Sequence, residues 1–212
     1  MKPLSLSTSV RNAAVVVAHP DDEIIWAGGT ILMHTEWHWT VAVLTRKSDP
    51  DRAPKFNRVM QELRVDGRIG DLDDGPSQSP LTDSDVQDAV LTQLPERCYD
   101  ILLTHSPYGE YTHHLRHEET GRAVTLLWEK GQINSKEIWM FAYEDGGGKY
   151  PPKSIAAAHK KIKLPETIWQ EKYRIVTELY GFDHDSFEAQ TTPKEEAFWC
   201  FRSPNQLHQW LS

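Results

Sequence analysis

Short apolar runs alternate along this chain with segments whose apolar residues recur every three or four positions. Ala13-Ala14-Val15-Val16-Val17 is uninterrupted and rich in β-branched residues, the pattern of a strand buried on both faces. Ile24, Ile25, Gly28, Ile31 and Leu32 follow at helical spacing. Residues 40–45 repeat the strand pattern, and residues 46–53 form a polar loop. Residues 54–65 then place Phe56, Val59, Met60 and Leu63 on one helical face, with Pro54 near the first turn. A short strand is predicted over 67–72, closed by the turn sequence Asp73-Asp74-Gly75-Pro76. A helix is predicted over 81–94, started by Thr82-Asp83 and carrying Val86, Val90, Leu91 and Leu94 on one face. Residues 100–104 form another buried strand. The polar loop 106–112 leads into a helix reaching about Lys130, with Leu115, Val124 and Leu127 inward. Residues 137–143 read as a strand, 144–148 as a flexible break and 165–180 as a longer helix, while the pattern over 182–212 assigns no element. Strands alternating with helices predict an α/β fold, Rossmann-like and three-layered, with a mainly parallel sheet. Sheets of this kind bind ligands at the carboxyl edge of their strands.

Composition narrows the function. The 212 residues, 39% hydrophobic and 25% charged, are expected to form one domain spanning 1–212 around a single core. A formal net charge of -8 argues against nucleic acid as a partner, because neutralising phosphates takes clustered Lys and Arg. No apolar run approaches the roughly 20 residues of a membrane span. The N-terminal sequence Met-Lys-Pro-Leu-Ser-Leu-Ser-Thr-Ser lacks an apolar signal core, and Cys98 and Cys200 suggest no disulfide framework, so a cytoplasmic location is expected. Eight tryptophans are many; some must be core, and an excess also suits an aromatic-lined cleft or a sugar face.

The chemistry concentrates in two places. Ala18-His19-Pro20-Asp21-Asp22-Glu23 lies between the first strand and the first helix, hence at the carboxyl edge of the sheet. His19 and Asp22 can both ligate a divalent metal. Asp21 lies between them, and two adjacent carboxylates beside an imidazole are costly to bunch without a cation. His114 and His117, spaced i and i+3 at a helix start, follow the strand ending at Thr104 and therefore reach the same rim. Each cluster alone is commonly a polar cap or surface polarity. Two clusters after two separate buried strands favour a shared site, and a His/Asp/His set with one open position describes a catalytic zinc centre. His113 with His117, at i and i+4, offers a competing register.

On these residues the chain resembles the PIG-L/LmbE-like family of zinc-dependent N-acetylglucosaminyl deacetylases. Ala18 to Glu23 matches the family's first motif in full, and Gly28-Gly29-Thr30 also fits. Gly109-Glu110-Tyr111-Thr112-His113-His114-Leu115-Arg116-His117 is similar to the second, a loop leading into His-x-x-His. Leu44-Thr45-Arg46 resembles a strand end that carries a substrate-contacting Arg in relatives. Many relatives have His-Pro-Asp-His in the second motif. Here the middle pair is Leu115-Arg116, so the carboxylate that would orient a histidine is missing there, and Glu110 or Glu118 is a candidate replacement.

The resemblance implies an enzyme that removes an acetyl group from an N-acetylated amino sugar or its conjugate. It implies Zn²⁺ or another divalent metal held by His19, Asp22 and His117, with metal-bound water as the attacking group. Asp21 would be the general base, His114 the acid or oxyanion stabiliser, and Arg46 the substrate contact. His114 rather than His113 keeps the family spacing. The expected partner is a small-molecule amino sugar; the sequence does not give the oligomeric state. The rival reading is a non-catalytic Rossmann-like sugar-binding module, against which the acid at position 21 speaks. Asp71, Asp73 and Asp74 read as turn chemistry and Trp26 as core. His105 is as readily structural as pocket-lining, and Arg52 carries no argument beyond composition.

Overall fold

The computed structural model describes residues 10–212, so the N-terminal stretch considered above lies outside the described residues. Strand β1 (Asn12–Val17) is followed by α1 (Asp22–Met33), β2 (His38–Val43), α2 (Arg52–Leu63), β3 (Asp66–Ile69) and α3 (Asp83–Gln93). Then come β4 (Ile101–Thr104), α4 (Leu115–Glu129), β5 (Ile138–Phe141) and the short hairpin of β6 (Tyr143–Glu144) and β7 (Lys153–Ser154). The chain ends with β8 (Lys160–Lys163), α5 (Glu166–Arg174), α6 (Phe187–Thr191), β9 (Glu195–Phe201) and α7 (Pro204–Leu211). Helix α5 runs on into a π turn over Ile175–Leu179.

Seven strands form one sheet in the order β3-β2-β1-β4-β5-β9-β8. The first five are parallel, and β9 lies antiparallel between β5 and β8. Every residue of β1 after Asn12 is fully buried because both faces are covered. Ala13, Val15 and Val17 face α1, α2 and the π turn, while Ala14 and Val16 face α3 and α4. That alternation produces the three layers. The order 3-2-1-4-5 reverses direction between β1 and β4, which pair in parallel from Ala13 with Ile101 to Val16 with Thr104. At such a switch point the loops leaving two neighbouring strands diverge and open a crevice at their carboxyl ends. The two motifs follow β1 and β4, so topology brings them together there.

The boundaries differ from expectation in instructive ways. Strand β2 starts and stops about two residues earlier than its apolar run. Leu44 and Thr45 continue backbone pairing to Val17 and Ala18, but as part of the loop that bears Arg46. Helix α2 starts at Arg52, before Pro54, which leaves Pro54 in the first turn where a missing N–H costs nothing. The unassigned C-terminal stretch supplies α6, β9 and α7. Its central strand, Glu195–Phe201, mixes polar and apolar residues on an antiparallel neighbour, so it lacks the continuous run that marks β1.

Candidate metal centre and active site

The first motif turns sharply after β1. Asp21 sits at φ 123°, a conformation costly for a residue with a Cβ, on the order of 1–3 kcal/mol. Two contacts hold it. The Asp21 N–H donates to Glu23 Oε2 at 3.0 Å, and the Tyr180 hydroxyl donates to the other oxygen of Glu23. Glu23 is fully buried, and burial pushes its carboxyl up to about 7. The turn therefore presents the Asp21 and Asp22 side chains to the crevice while α1 starts behind them.

Three atoms converge at its floor. His19 Nδ1 lies 3.2 Å from Asp22 Oδ2 and 3.2 Å from His117 Nε2. His117 Nε2 lies 3.2 Å from Asp22 Oδ2, closing the triangle. A tetrahedral zinc site with bonds of about 2.0–2.1 Å separates its ligand atoms by roughly 3.3–3.4 Å. The surroundings turn a lone pair on each ring inward. His117 Nδ1 donates to Glu110 Oε2 at 2.8 Å, which leaves Nε2 bare toward the centre. His19 Nε2 lies 3.4 Å from Asp74 Oδ1, which leaves Nδ1 facing the centre. Glu110, fully buried, also accepts from His105 Nδ1 at 3.0 Å, and the backbone N–H of Ala18 donates to His105 Nε2 at 3.1 Å.

Electrostatics agrees with this geometry. Burial opposes charge on Asp22, yet the His117 and His105 rings beside it hold its carboxyl well below the usual range. Burial likewise works against charge on His19, but hydrogen bonds to Asp22 and Asp74 outweigh it and raise the imidazole. Both shifts express one attraction, between the Asp22 carboxylate and the rings that face it. His19, Asp22 and His117 therefore fit a divalent cation by spacing, by tautomer and by donor type.

Around the triangle the other expected residues take distinct places. Asp21 is buried, and burial together with the Asp22 charge pushes its carboxyl well above the usual range. Arg52 Nη1 donates to Asp21 Oδ2 at 2.9 Å and its guanidinium lies 4.5 Å over the Phe182 ring. His114 stacks on His117 with centroids 4.1 Å apart, and burial plus the neighbouring His117 and His19 rings lowers it to about 3. It is therefore a neutral imidazole, and its buried Nδ1 has no hydrogen-bond partner. The side chain of His113 points outward, 92% exposed, so the competing register does not reach the triangle. Arg46 sits at the rim at φ 69° and pairs with the Asp74 carboxylate.

A cavity of 290 Å³ opens above the triangle, and His19, Asp21, Asp22, Arg46, His114 and His117 all line it. Trp26, Tyr111 and Phe187 give it apolar walls. A larger cavity of 770 Å³, between the ends of α3 and α4 at the opposite edge of the sheet, contains none of these residues.

Several partners differ from their sequence reading. Asp74 belongs to the centre rather than to a turn alone. Asp71 keeps turn chemistry, accepting from Ser48 N–H and hydroxyl at 3.1 and 3.0 Å. Trp26 is core, but its indole N–H also donates to Asp22 Oδ1 at 3.1 Å. Arg52 lies 31 residues from Asp21 in the chain, and nothing in the local pattern signals their meeting. Glu110, not Glu118, supplies the carboxylate on His117.

Residues 14–128 match the family described as PIG-L: GlcNAc-PI de-N-acetylase. A curated relative, the uncharacterized protein L374 of Acanthamoeba polyphaga mimivirus, is 22% identical over 209 residues, covering 88% of this chain and 87% of that one. The fold is similar to N,N'-diacetylchitobiose deacetylase from Pyrococcus horikoshii, with a TM-score of 0.66 at 14% identity over 92% of this chain and 85% of that one. It is also similar to the zinc-inhibited form of a teicoplanin deacetylase, with a TM-score of 0.63 at 13% identity over 91% and 98%. With more than half of its length matched and both motifs inside the match, the chain belongs to the PIG-L family of deacetylase-type hydrolases.

Proposed function

We propose that this protein is a metal-dependent amide hydrolase that removes the acetyl group from an N-acetylated amino sugar or its conjugate. The observation that carries the reading is the 3.2 Å triangle of His19 Nδ1, Asp22 Oδ2 and His117 Nε2 with an unligated acid, Asp21, beside it. A divalent cation, zinc on this donor set, supplies Lewis acidity toward the acetamide carbonyl and makes water easier to deprotonate.

Everything else falls to the chain's own side chains. Asp21 is the general base. Its raised affinity for a proton suits it to take one from the attacking water, and Arg52 keeps the carboxylate aimed. His114 as a neutral imidazole has one N–H to give, and it directs that donor at the developing oxyanion without needing a charge. The proton collected by Asp21 passes to the leaving amine. The aromatic walls exclude water and offer an apolar face to the C–H side of a sugar ring, and Arg46 at the rim offers a fork of donors to its hydroxyls. An acid at this place adds nothing to passive binding, which disfavours the sugar-binding module. A cytoplasmic setting belongs to the same reading, since Cys98 and Cys200 are free.

The test is acetate release from N-acetylglucosamine and its glycosides by the metal-loaded protein. Asp21→Asn is expected to lower kcat by about 10²–10⁴-fold while metal stays bound. Full turnover in that variant would remove Asp21 from the mechanism.

A further inference from the structure

The second motif departs from its relatives at Leu115-Arg116, and the buried arginine there is not explained by the chemistry above. Its side chain is 1% exposed in the first turn of α4. A guanidinium in that position is desolvated and sits at the positive end of the helix dipole, so it needs strong local partners. It has three of them, two carbonyls of one loop and a carboxylate of its own helix. Nε donates to the Asp73 carbonyl at 2.6 Å and Nη2 to the Ser79 carbonyl at 2.9 Å. Nη1 donates to Glu119 Oε2, and Glu119 Oε1 in turn accepts the Leu81 N–H at 2.8 Å. Both ends of the irregular segment 73–81 are thereby tied to the helix that carries His117.

That segment delivers Asp74. Its Oδ1 lies 3.4 Å from His19 Nε2 and accepts from Gln78 Nε2, on the same loop, at 2.7 Å. Metal-bound histidines take their orientation and tautomer from the acceptor on their far nitrogen. We propose that Arg116 is a positioning residue of the metal centre: by clamping the 73–81 loop it seats Asp74 against His19, as the acceptor on the far nitrogen of that ring. A planar fork reaches two diverging carbonyls at once, whereas a lysine ammonium at the same place satisfies one well. The inference rests on the reading of His19 as a metal ligand.

The test strips the full chain of metal and titrates zinc against a chelating competitor, with a parallel Co²⁺ titration read by its visible spectrum. The variants are Arg116→Lys, Asp74→Asn and the double variant, with Glu119→Gln as a second route to loosening the clamp. Arg116→Lys and Asp74→Asn are each expected to weaken zinc binding by about 10–100-fold and to change the cobalt spectrum. The double variant is expected to match Asp74→Asn alone, because both changes break one linkage. Should Arg116→Lys not fold, Glu119→Gln carries the same expectation. A clamp variant that melts earlier yet keeps zinc affinity within about twofold would overturn the proposal, as would losses that add in the double variant. A parent that binds no zinc overturns the metal reading itself. Zinc binding that is lost in His117→Ala but intact in Arg116→Lys overturns only the role of Arg116.

Discussion

One carboxylate, Glu110, holds two rings. It accepts from His117 Nδ1 at 2.8 Å and from His105 Nδ1 at 3.0 Å. Burial alone would raise it, but the His105 ring and these hydrogen bonds lower it to about 2. Glu110→Gln keeps the shape and can still accept one bond, but it offers less charge to the His117 ring. Zinc affinity measured by competition should fall by about 10–100-fold, with the melting temperature of the metal-free protein changed less. What was legible at this scale follows a simple division. His19, Asp21, Asp22, His114 and His117 were visible because each motif is continuous in sequence and follows a buried strand. Asp74 and Arg52 were not, since Asp-Asp-Gly-Pro is ordinary turn chemistry and an arginine before a helix is ordinary polarity. Only the folded chain brings them to His19 and Asp21.

At the scale of elements, α1 must be fixed for its first turn to present Asp22. Gly29 lies so close to its neighbours that a Cβ there would meet the Leu164 side chain at 2.4 Å and Glu196 Oε1 at 2.9 Å. In that contact Glu196 accepts from Gly29 N–H, Thr30 N–H, the Thr30 hydroxyl and Lys172 Nζ, at 2.6–2.8 Å, wholly out of water. Removing it leaves a buried ammonium without its counter-charge. Glu196→Ala should therefore cost about 3–5 kcal/mol in chemical denaturation. A second prediction concerns the start of β4. Asp100 accepts from Lys136 Nζ at 2.7 Å and from Asn12 N–H at 2.9 Å, and these bonds, the lysine's first, lower its carboxyl below the usual value. A depressed carboxylate stabilises the fold above its unfolded value of about 3.9 and loses that contribution as pH falls through its folded value. Asp100→Asn should melt earlier than the parent at pH 6, with the gap closing as the pH drops below about 3.9. The parallel half of the sheet was readable because β1, β2, β4 and β5 are continuous apolar runs. Strand β8, Lys-Lys-Ile-Lys, was not, because a sheet edge is kept charged to prevent further pairing.

Across the whole molecule, charge bears on the substrate. The chain carries a net charge of -8, and acids outnumber bases at the mouth of the crevice, where Asp21, Asp22, Asp74 and Glu188 line the cavity against Arg46 and Arg52. Both arginines are already paired, Arg46 with Asp74 and Arg52 with Asp21. An adjoining hollow of 390 Å³ shares Arg46 and Asp74 and adds Asp49, Asp71 and Asp73. Carboxylates accept from hydroxyls and repel phosphate. Neutral N-acetylated sugars should therefore show kcat/KM about tenfold or more above the corresponding 1-phosphates at low ionic strength, with the gap narrowing as salt rises. Among the described residues no helix is long and apolar enough to cross a membrane. In the proposed function, two segments 98 residues apart build one metal centre. Metal content after reconstitution and dialysis, compared among the parent, Asp22→Ala and His117→Ala, addresses it directly. The parent should hold one divalent ion per chain tightly, and both variants should lose it. A parent without metal, or variants that retain it as the parent does, would contradict it.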